Sequence, residues 1–325
     1  MNPPIRFFVL VLVMRLSSIE LVQAQLVPTI EENIPFLVTF GNKGEKSWGD
    51  DDFSQVFFFV IPESNKNPVY IRIFDPDIGG KHDEDRTGFN SATKFSIYGG
   101  NGCVSARVAS NTDPVEGYKT GNLIDSKIFR NDKQYDNKWY TFGPFNPMEG
   151  ELMEEYGGYI IKIIAEGIEG DDGNLYRYFL SSEEKSNKPV AGGNAFTFEY
   201  SFRLSNDQEH VSHLYPYIND RVVSLKLHNF DWDNDGFIKV VSIARRGDFS
   251  KLSNENEWMT STHVIADTEK NTSMDLQFIK SKTEKVENNN VVIYITNQYG
   301  EFLPFYTSPI GGIPKFKYAI GIKKK

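Results

Sequence analysis

The chain has 325 residues and a formal net charge of −9, and 39% of its residues are hydrophobic and 14% aromatic. This apolar content is enough for packed cores and argues against disorder over the whole length. The acidic balance argues against a nucleic-acid partner, because such a partner requires clustered Lys and Arg. It suits a divalent cation.

The N-terminal segment has the pattern of a secretory signal peptide. Arg6 precedes an apolar run from Phe7 to Met14, and a more polar stretch ends at the small residue Ala24. This pattern predicts a signal peptide over residues 1–24. A bilayer span needs about 20 apolar residues, and no segment reaches that length. We therefore expect a secreted, periplasmic or cell-surface protein with no transmembrane span in the mature chain.

The cysteine content limits how the mature chain is held together. Cys103 is its single cysteine, so an intramolecular disulfide is excluded. An exported protein without disulfides depends on core packing, with or without a metal. For Cys103 itself we expect the role of a small buried apolar residue.

Short apolar and aromatic runs separated by Gly, Asn, Asp and Pro dominate the chain. Such runs occur at residues 55–61, 69–74, 159–165, 176–180, 196–204, 223–227, 291–296 and 316–322. In the run 196–204, alternate residues from Phe196 to Leu204 are apolar and should share one face. This pattern is typical of an antiparallel β-sandwich and not of βαβ units, so the expected fold class is all-β.

The segment Ser181–Asn194 is the best candidate for a domain boundary. It is charged, contains Pro189 and Gly192-Gly193, and lacks apolar periodicity. The sequence therefore predicts two antiparallel β-sandwich domains, at residues 25–185 and 195–325. In both, an alternating strand runs directly into an Asp-rich loop. Common descent and the ordinary geometry of sandwich loops both explain that similarity.

The first Asp-rich loop follows the strand at residues 69–74. Asp75 and Asp77 are two residues apart, Gly79-Gly80 allows the chain to reverse, and Asp83 and Asp85 return toward them. Carboxylates held this close repel one another unless a cation or protons intervene. Calcium prefers six to eight hard oxygen ligands. We therefore predict a calcium site at Asp75, Asp77, Asp83 and Asp85.

Residues 69–88 resemble the calcium-binding region of C2 domains, in which a strand ends in an Asp-x-Asp pair and a later acidic residue, followed by Gly, completes the site. The resemblance implies that Asp75, Asp77 and Asp83 or Asp85 bind calcium, with Gly88 as the matching glycine. C2 domains also use acidic residues from an earlier loop, and Asp50, Asp51 and Asp52 are the candidates here. The resemblance is confined to this segment and implies calcium chemistry without membrane targeting.

The second Asp-rich loop has the sequence FDWDNDGFI. Asp231, Asp233 and Asp235 occupy alternate positions before Gly236, and residues 231–236 resemble the first half of the calcium loops of EF-hands and dockerins. The twelfth loop position is Ser242 and not Glu, so a complete EF-hand is excluded. The sequence predicts a weaker site carried by strands and completed from elsewhere. The alternative is a solvated acidic turn, since Asp and Asn are common in turns.

The sequence lacks the local motifs of nucleophilic hydrolases, zinc proteases, P-loop proteins and dinucleotide-binding proteins. We therefore expect a non-enzymatic, calcium-stabilised binding or structural module of the cell envelope or exterior, with a protein or glycan as its partner. Two alternatives stay open. A carbohydrate-binding protein would use the aromatic residues at 139–145, or those at 297–312 as a binding rim. A carboxylate-based glycan hydrolase would need two facing carboxyl groups.

Overall fold

The computed structural model describes residues 25–110, 118–205, 207, 209–233, 236–282 and 290–317. The predicted signal peptide lies outside these residues. Helical geometry in the described chain is limited to four single-turn 3-10 segments, Lys46–Trp48, Pro147–Glu149, Glu154–Tyr156 and Asp267–Glu269. The pairings between strands are antiparallel. The predicted all-β class is confirmed.

The first half of the chain contains ten strands in its described part: β1 (Leu26–Val27), β2 (Phe36–Phe40), β3 (Ser54–Pro62), β4 (Val69–Phe74), β5 (Ala92–Gly99), β6 (Asn122–Phe129), β7 (Trp139–Phe145), β8 (Glu151–Met153), β9 (Gly158–Glu169) and β10 (Gly173–Ser181). The predicted strands at 55–61, 69–74, 159–165 and 176–180 lie within β3, β4, β9 and β10. They are confirmed.

The described part of the second half contains twelve strands: β11 (Asn194–Thr197), β12 (Glu199–Arg203), β13 (Val211–Leu214), β14 (Tyr217–Ile218), β15 (Ser224–Phe230), β16 (Gly236–Val241), β17 (Asp248–Phe249), β18 (Trp258–Val264), β19 (Thr272–Ser273), β20 (Asp275–Lys280), β21 (Asn290–Asn297) and β22 (Phe305–Tyr306). The predicted strand at 291–296 lies within β21. Phe316 and Lys317 are not in a strand, and residues 318–322 lie outside the described residues.

Three sheets form most of the fold. The largest has the order β18-β15-β21-β12-β2-β10-β4-β7, with β1 also paired to β10. The second has the order β22-β11-β3-β9-β5-β6, with β8 beside β9, and the third has the order β13-β20-β16-β17. A short pair, β14-β19, is separate. The largest sheet therefore combines strands from both halves of the chain.

The strand order repeats between the two halves. The first repeat (β2–β7, β9 and β10) has the order β2-β10-β4-β7 in one sheet and β3-β9-β5-β6 in the other. The second repeat (β12, β13, β15–β18, β20 and β21) has the orders β12-β21-β15-β18 and β13-β20-β16-β17. Counted along the chain, both orders are first-eighth-third-sixth and second-seventh-fourth-fifth, as in an eight-stranded jelly roll.

The two repeats are joined through β2 and β12. Phe202 of β12 is paired with Leu37 of β2, and Arg203 with Phe36. Strands from both sides of the predicted boundary segment Ser181–Asn194 therefore belong to one sheet, and the division into two domains stays a prediction.

Aromatic side chains pack the facing sheets together. In the first repeat, Tyr178 of β10 lies 5.8 Å from Phe57 of β3, measured between ring centroids. In the second repeat, Phe202 of β12 lies 5.2 Å from Phe278 of β20. All four residues are completely buried and belong to one continuous apolar cluster that includes both repeats. Burial of large aromatic rings is the main stabilising term in such a sandwich.

The predicted strand at 196–204 is divided between two sheets. β11 pairs with β3, whereas β12 pairs with β2 and β21. Phe196 and Phe198 consequently pack in a separate cluster with Phe58, while Tyr200 and Phe202 enter the main core. The alternation of apolar residues is real, but the change of sheet at Phe198 sends its two halves into different clusters.

Candidate functional site

The antiparallel order brings the loops 41–53, 75–91, 130–138 and 170–172 to one end of the first repeat. Asp75, directly after β4, has the left-handed φ of 56°, a conformation that Asp and Asn tolerate better than most residues. Its backbone N–H donates to Lys138 O (2.9 Å), and its Oδ1 accepts from the backbone N–H of Asn137 (2.7 Å). The second oxygen, Asp75 Oδ2, is buried and has no hydrogen-bond partner among the described residues.

Asp77 is also buried, with 1% of its surface exposed. Its Oδ2 accepts from the backbone N–H of Asp132 (3.3 Å), and its Oδ1 is buried and has no hydrogen-bond partner in the part of the chain that the structure describes. Between the two aspartates, the carbonyl of Pro76 accepts from Asn174 Nδ2 (2.9 Å). Asp75 and Asp77 thus each hold one buried oxygen that lacks a donor, which is costly in a folded protein.

Burial and neighbouring charges shift the pKa values of the Asp75 and Asp77 carboxyl groups. Burial raises the pKa of Asp77 to about 7, and the charges of Asp75 and Asp136 add to this effect. Burial also raises the pKa of Asp75; Asp136 adds to the rise, whereas the positive charges of His82 and Arg177 oppose it. The loop between β6 and β7 therefore supplies a third acidic side chain, Asp136.

Asp136 approaches the first Asp-rich loop at Gly80. A Cβ atom on Gly80 would lie 2.3 Å from Asp136 Oδ1, and Gly80 has φ of 74°. A side chain at this position would strain the backbone and would displace the Asp136 carboxylate. The glycine therefore allows Asp136 to lie against the loop that carries Asp75 and Asp77.

The other two predicted ligands in this loop have different surroundings. Asp83 Oδ1 accepts from the backbone N–H of Leu175 and Oδ2 from that of Gly79, both at 2.7 Å. Burial raises the pKa of Asp83 well above its usual value, and the charges of Asp75 and Asp77 add to the rise. Asp85 is exposed, and its Oδ1 accepts from Gly88 N–H (2.6 Å). The charges of Asp75 and Asp77 thus act on Asp83, but these three side chains do not bring their carboxylate oxygens within 4.8 Å of one another. Asp85 closes a surface turn.

The second Asp-rich loop repeats the backbone geometry of the first. Asp231 is buried, has φ of 57° and accepts on Oδ1 from the backbone N–H of Asn256 (2.6 Å), as Asp75 does from Asn137. Asp231 follows Phe230, which is paired with Trp258, just as Phe74 before Asp75 is paired with Trp139. The two repeats therefore share Phe-Asp-x-Asp at one strand end and Asn-x-Trp at the start of its neighbour.

The structure describes one of the two other predicted ligands of the second loop. Asp233 is half-buried and has φ of 53°. Asp235 lies outside the described residues.

The loop from β2 to β3 contains the one group of three carboxylates in the described chain whose oxygens lie within 4.8 Å of one another, Asp50, Asp51 and Asp52. Asp50 accepts from the backbone N–H groups of Phe40 (2.7 Å) and Phe53 (2.9 Å). Burial raises the pKa of Asp50 to about 7. These hydrogen bonds give Asp50 a structural role in closing its own loop.

Asp172, which the sequence reasoning missed, holds the segment that follows Asp83. Its buried carboxylate accepts from the backbone N–H groups of Arg86 (2.9 Å), Asn90 (2.7 Å) and Ser91 (3.1 Å), and from Ser91 Oγ (2.9 Å). Burial by itself would raise the pKa of Asp172, but these hydrogen bonds outweigh it and lower the pKa. The Gly-Asp-Asp-Gly sequence at 170–173 signals a tight turn but not which aspartate is buried.

The aromatic residues at 139–145 do not form an exposed row. Phe142 and Phe145 are buried in the main core. Trp139 packs against Phe74, with ring centroids 5.4 Å apart, and is covered by the guanidinium of Arg72. In the part of the chain that the structure describes, no helix combines the length and the apolar character that a membrane crossing requires.

No family model matches the sequence, and no curated protein matches it. One solved structure that resembles the chain is described as a "putative secreted protein" from Parabacteroides distasonis ATCC 8503. Its sequence is 10% identical, the alignment covers 88% of this chain and 97% of that chain, and the TM-score is 0.20. A likeness with this TM-score supports no inference about fold or function.

Proposed function

We propose that the mature chain is an exported, non-enzymatic binding or structural module of the cell envelope or exterior, and that calcium binding at Asp75 and Asp77 stabilises it. The observation that carries the calcium proposal is the pair of buried carboxylate oxygens, Asp75 Oδ2 and Asp77 Oδ1, for which the described residues supply no hydrogen-bond donor. Export rests on the signal-peptide pattern of residues 1–24.

Calcium suits the donors at this end of the first repeat. The ion takes carboxylate, carbonyl and water oxygens at about 2.3–2.6 Å and accepts irregular geometry, whereas magnesium requires a near-ideal octahedron. Asp75 and Asp77 would supply the first oxygens, and Asp136, whose charge already acts on both, would supply a third. Asp83, with both oxygens on backbone N–H groups, would hold the loop in shape.

The first prediction concerns thermal stability and the variant Asp77→Asn. Free calcium at 100 times its Kd should stabilise the wild-type protein by about 2.7 kcal/mol, which corresponds to a rise in Tm of roughly 4–5 °C for a chain of this length. Asp77→Asn should lose most of this rise. Because the amide removes a buried negative charge, the variant without calcium should be as stable as the wild type at pH 8, or more stable. Differential scanning calorimetry with calcium and with EDTA measures both effects.

The matched control is Asp85→Asn. Asp85 is exposed, and an amide oxygen can still accept from Gly88 N–H, so the calcium-induced rise in Tm should be retained. Equal Tm values with calcium and with chelator in the wild-type protein would overturn the proposal. A loss of the response in Asp85→Asn but not in Asp77→Asn would place the ion elsewhere in the loop.

A second ion is proposed at the loop after β15, because Asp231 has the same backbone conformation and the same asparagine contact as Asp75. Its ligands would be Asp231, Asp233 and Asp235. We expect isothermal titration calorimetry to give two calcium equivalents in the wild-type protein. Asp231→Asn, which keeps an acceptor for Asn256 N–H and tolerates positive φ, should reduce this number to one. An unchanged stoichiometry would reject the second site.

A further inference from the structure

A cleft of about 700 Å³ lies on the side of the second sheet that faces away from the main core. Residues of both halves line it, among them Tyr156 and the segment Tyr299–Tyr306. Its volume is within the range of about 300–1,000 Å³ that is typical of ligand sites. The aromatic run near the C-terminus, which the sequence analysis named as a candidate binding rim, therefore lines a cavity.

Three tyrosines of the cleft pack against other aromatic rings. Tyr156 is stacked on the buried ring of Phe196, with centroids 4.6 Å apart and planes 5° from parallel. Tyr306 lies 5.5 Å from Phe196, and Tyr217 is perpendicular to Tyr306 at 6.0 Å. Because Phe196 is itself stacked on Phe58 of β3, the aromatic wall is part of the folded framework.

Another part of the cleft lining is fixed by Glu151. Its carboxylate accepts from the backbone N–H groups of Gly102 (3.0 Å), Val104 (2.7 Å) and Ser105 (3.0 Å), and also from Ser105 Oγ (2.5 Å). These four hydrogen bonds pin the strip that carries Val104 and Ser105, two residues of the lining. Both the tyrosines and this strip are therefore held in place by the fold, which reduces the entropic cost of binding.

The three tyrosines line the cleft; Tyr156 and Tyr217 are half-buried, and Tyr306 is 7% exposed. The hydroxyl groups of Tyr156 and Tyr306 have no hydrogen-bond partner among the described residues, and that of Tyr217 lies at the limiting distance of 3.5 Å from Asn271 Oδ1. Burial raises the pKa of Tyr156 and Tyr306, and the charge of Glu155 adds to both shifts. At neutral pH the phenols are therefore uncharged and can donate as well as accept.

The charges around the cleft are balanced. Arg107 and Arg221 are exposed and form no ion pair with a described residue, and Glu155 and Glu301 are exposed beside them. Two positive and two negative side chains give the rim no net charge with which to attract a strongly charged ligand. Aromatic faces together with neutral hydroxyl groups are suited to a ligand with both C–H faces and hydroxyl groups.

We propose that this cleft binds a neutral oligosaccharide, with a sugar ring against the tyrosine wall and its hydroxyl groups hydrogen-bonded to Tyr156 and Tyr306. The proposal rests on the binding role proposed above but not on calcium, because the cleft shares no lining residue with the loops that carry Asp75 and Asp136. The proposal names the class of ligand that the binding module would recognise and the surface on which the ligand would bind.

The test is isothermal titration calorimetry of the full chain, with and without EDTA, against neutral hexasaccharides of β-1,4-glucan, β-1,3-glucan, α-1,4-glucan, xylan and mannan. We expect at least one to bind with Kd below about 1 mM. The double variant Tyr156→Phe/Tyr306→Phe keeps both rings and should weaken that binding about tenfold, as expected for the loss of two hydrogen bonds. Tyr70→Phe, a half-buried tyrosine of β4 outside the cleft, is the matched control.

A charge variant separates neutral from anionic ligands. Arg221→Glu should leave the affinity for the neutral hexasaccharide within about twofold, since no ligand charge is involved. The proposal is overturned if no neutral probe binds, if the double tyrosine variant binds as the wild type does, or if hexagalacturonate binds more tightly than every neutral probe and is lost in Arg221→Glu. Binding that persists in EDTA and in Asp77→Asn, with no rise in Tm on adding calcium, would reject the calcium site while retaining the glycan site.

Discussion

Without calcium, the protein is expected to lose stability as the pH rises from about 5 to 8, and calcium is expected to restore much of that loss. Burial raises the pKa of Glu32 to about 8 and the pKa values of Asp50 and Asp77 to about 7. Between the ordinary carboxyl pKa and these values, the folded state binds more protons than the unfolded state. Stability is therefore highest below this window and decreases as the pH rises through it.

Glu32 shows the size of the expected effect. It is completely buried; its Oε1 accepts from Tyr200 OH (2.7 Å) and its Oε2 from Thr29 N–H (2.6 Å). These bonds lower its pKa, but burial dominates. One pKa unit corresponds to about 1.4 kcal/mol, so half of the rise at Glu32 already amounts to about 2 kcal/mol between pH 5 and pH 8.

Calcium should act on only part of this pH dependence. The ion binds the ionised form of Asp75 and Asp77, so protons compete with it at pH 5 and not at pH 8. The calcium-induced increase in the free energy of unfolding should therefore grow from pH 5 to pH 8. Urea unfolding at four pH values, with calcium and with EDTA, measures this increase.

Two variants separate the calcium-dependent part from the rest. Asp77→Asn should remove the growth of the calcium effect with pH, whereas Glu32→Gln should flatten the pH dependence that remains in EDTA and leave the calcium effect unchanged. A calcium effect of the same size at pH 5 and pH 8 would contradict the coupling between protons and the ion.

The strands could be predicted from the sequence where the alternation of apolar and polar residues alone determines the structure. The alternating run at 69–74 became β4 because a half-buried strand needs period-two alternation. At 196–204 the same rule does not show that the chain changes sheets at Phe198. Aromatic residues alternate on both sides of that position, although those up to Phe198 pack in one apolar cluster and those after it pack in another. The same alternation of aromatic residues is therefore expected for one long strand and for two short strands in different sheets.

Only part of the candidate site could be predicted from the sequence, because its residues are brought together by strand pairing. The pair Asp75 and Asp77 is visible in sequence, but Asp136 is far away in the chain and joins it only through the pairing of β4 with β7. The repeated strand order is equally hidden, because the shared residues are reduced to Phe-Asp-x-Asp and Asn-x-Trp. Side chains at the other positions need only be apolar or polar in the right alternation, which many sequences satisfy.

The largest single-residue effect on stability is expected at Asp172. Asp172→Ala would remove the acceptor of three backbone N–H groups and one hydroxyl in the segment from Arg86 to Ser91. Buried donors that lose their partner cost about 1–3 kcal/mol each, and partial access to water reduces the total, so we expect a loss of about 3–5 kcal/mol. Urea unfolding at pH 7 measures it.

The neighbouring aspartate is the control for this prediction. Among the described residues, Asp171 accepts only from Thr87 Oγ1, near the surface, so Asp171→Ala should cost less than about 1 kcal/mol. Because its hydrogen bonds lower the pKa of Asp172, its contribution is present above the ordinary aspartate pKa and is lost as the pH falls below about 4. The difference between wild type and Asp172→Ala should therefore be constant from pH 8 to pH 5 and shrink in acid, opposite in direction to the effect of Glu32. Equal losses in the two alanine variants would show that Asp172 does not hold the segment after Asp83.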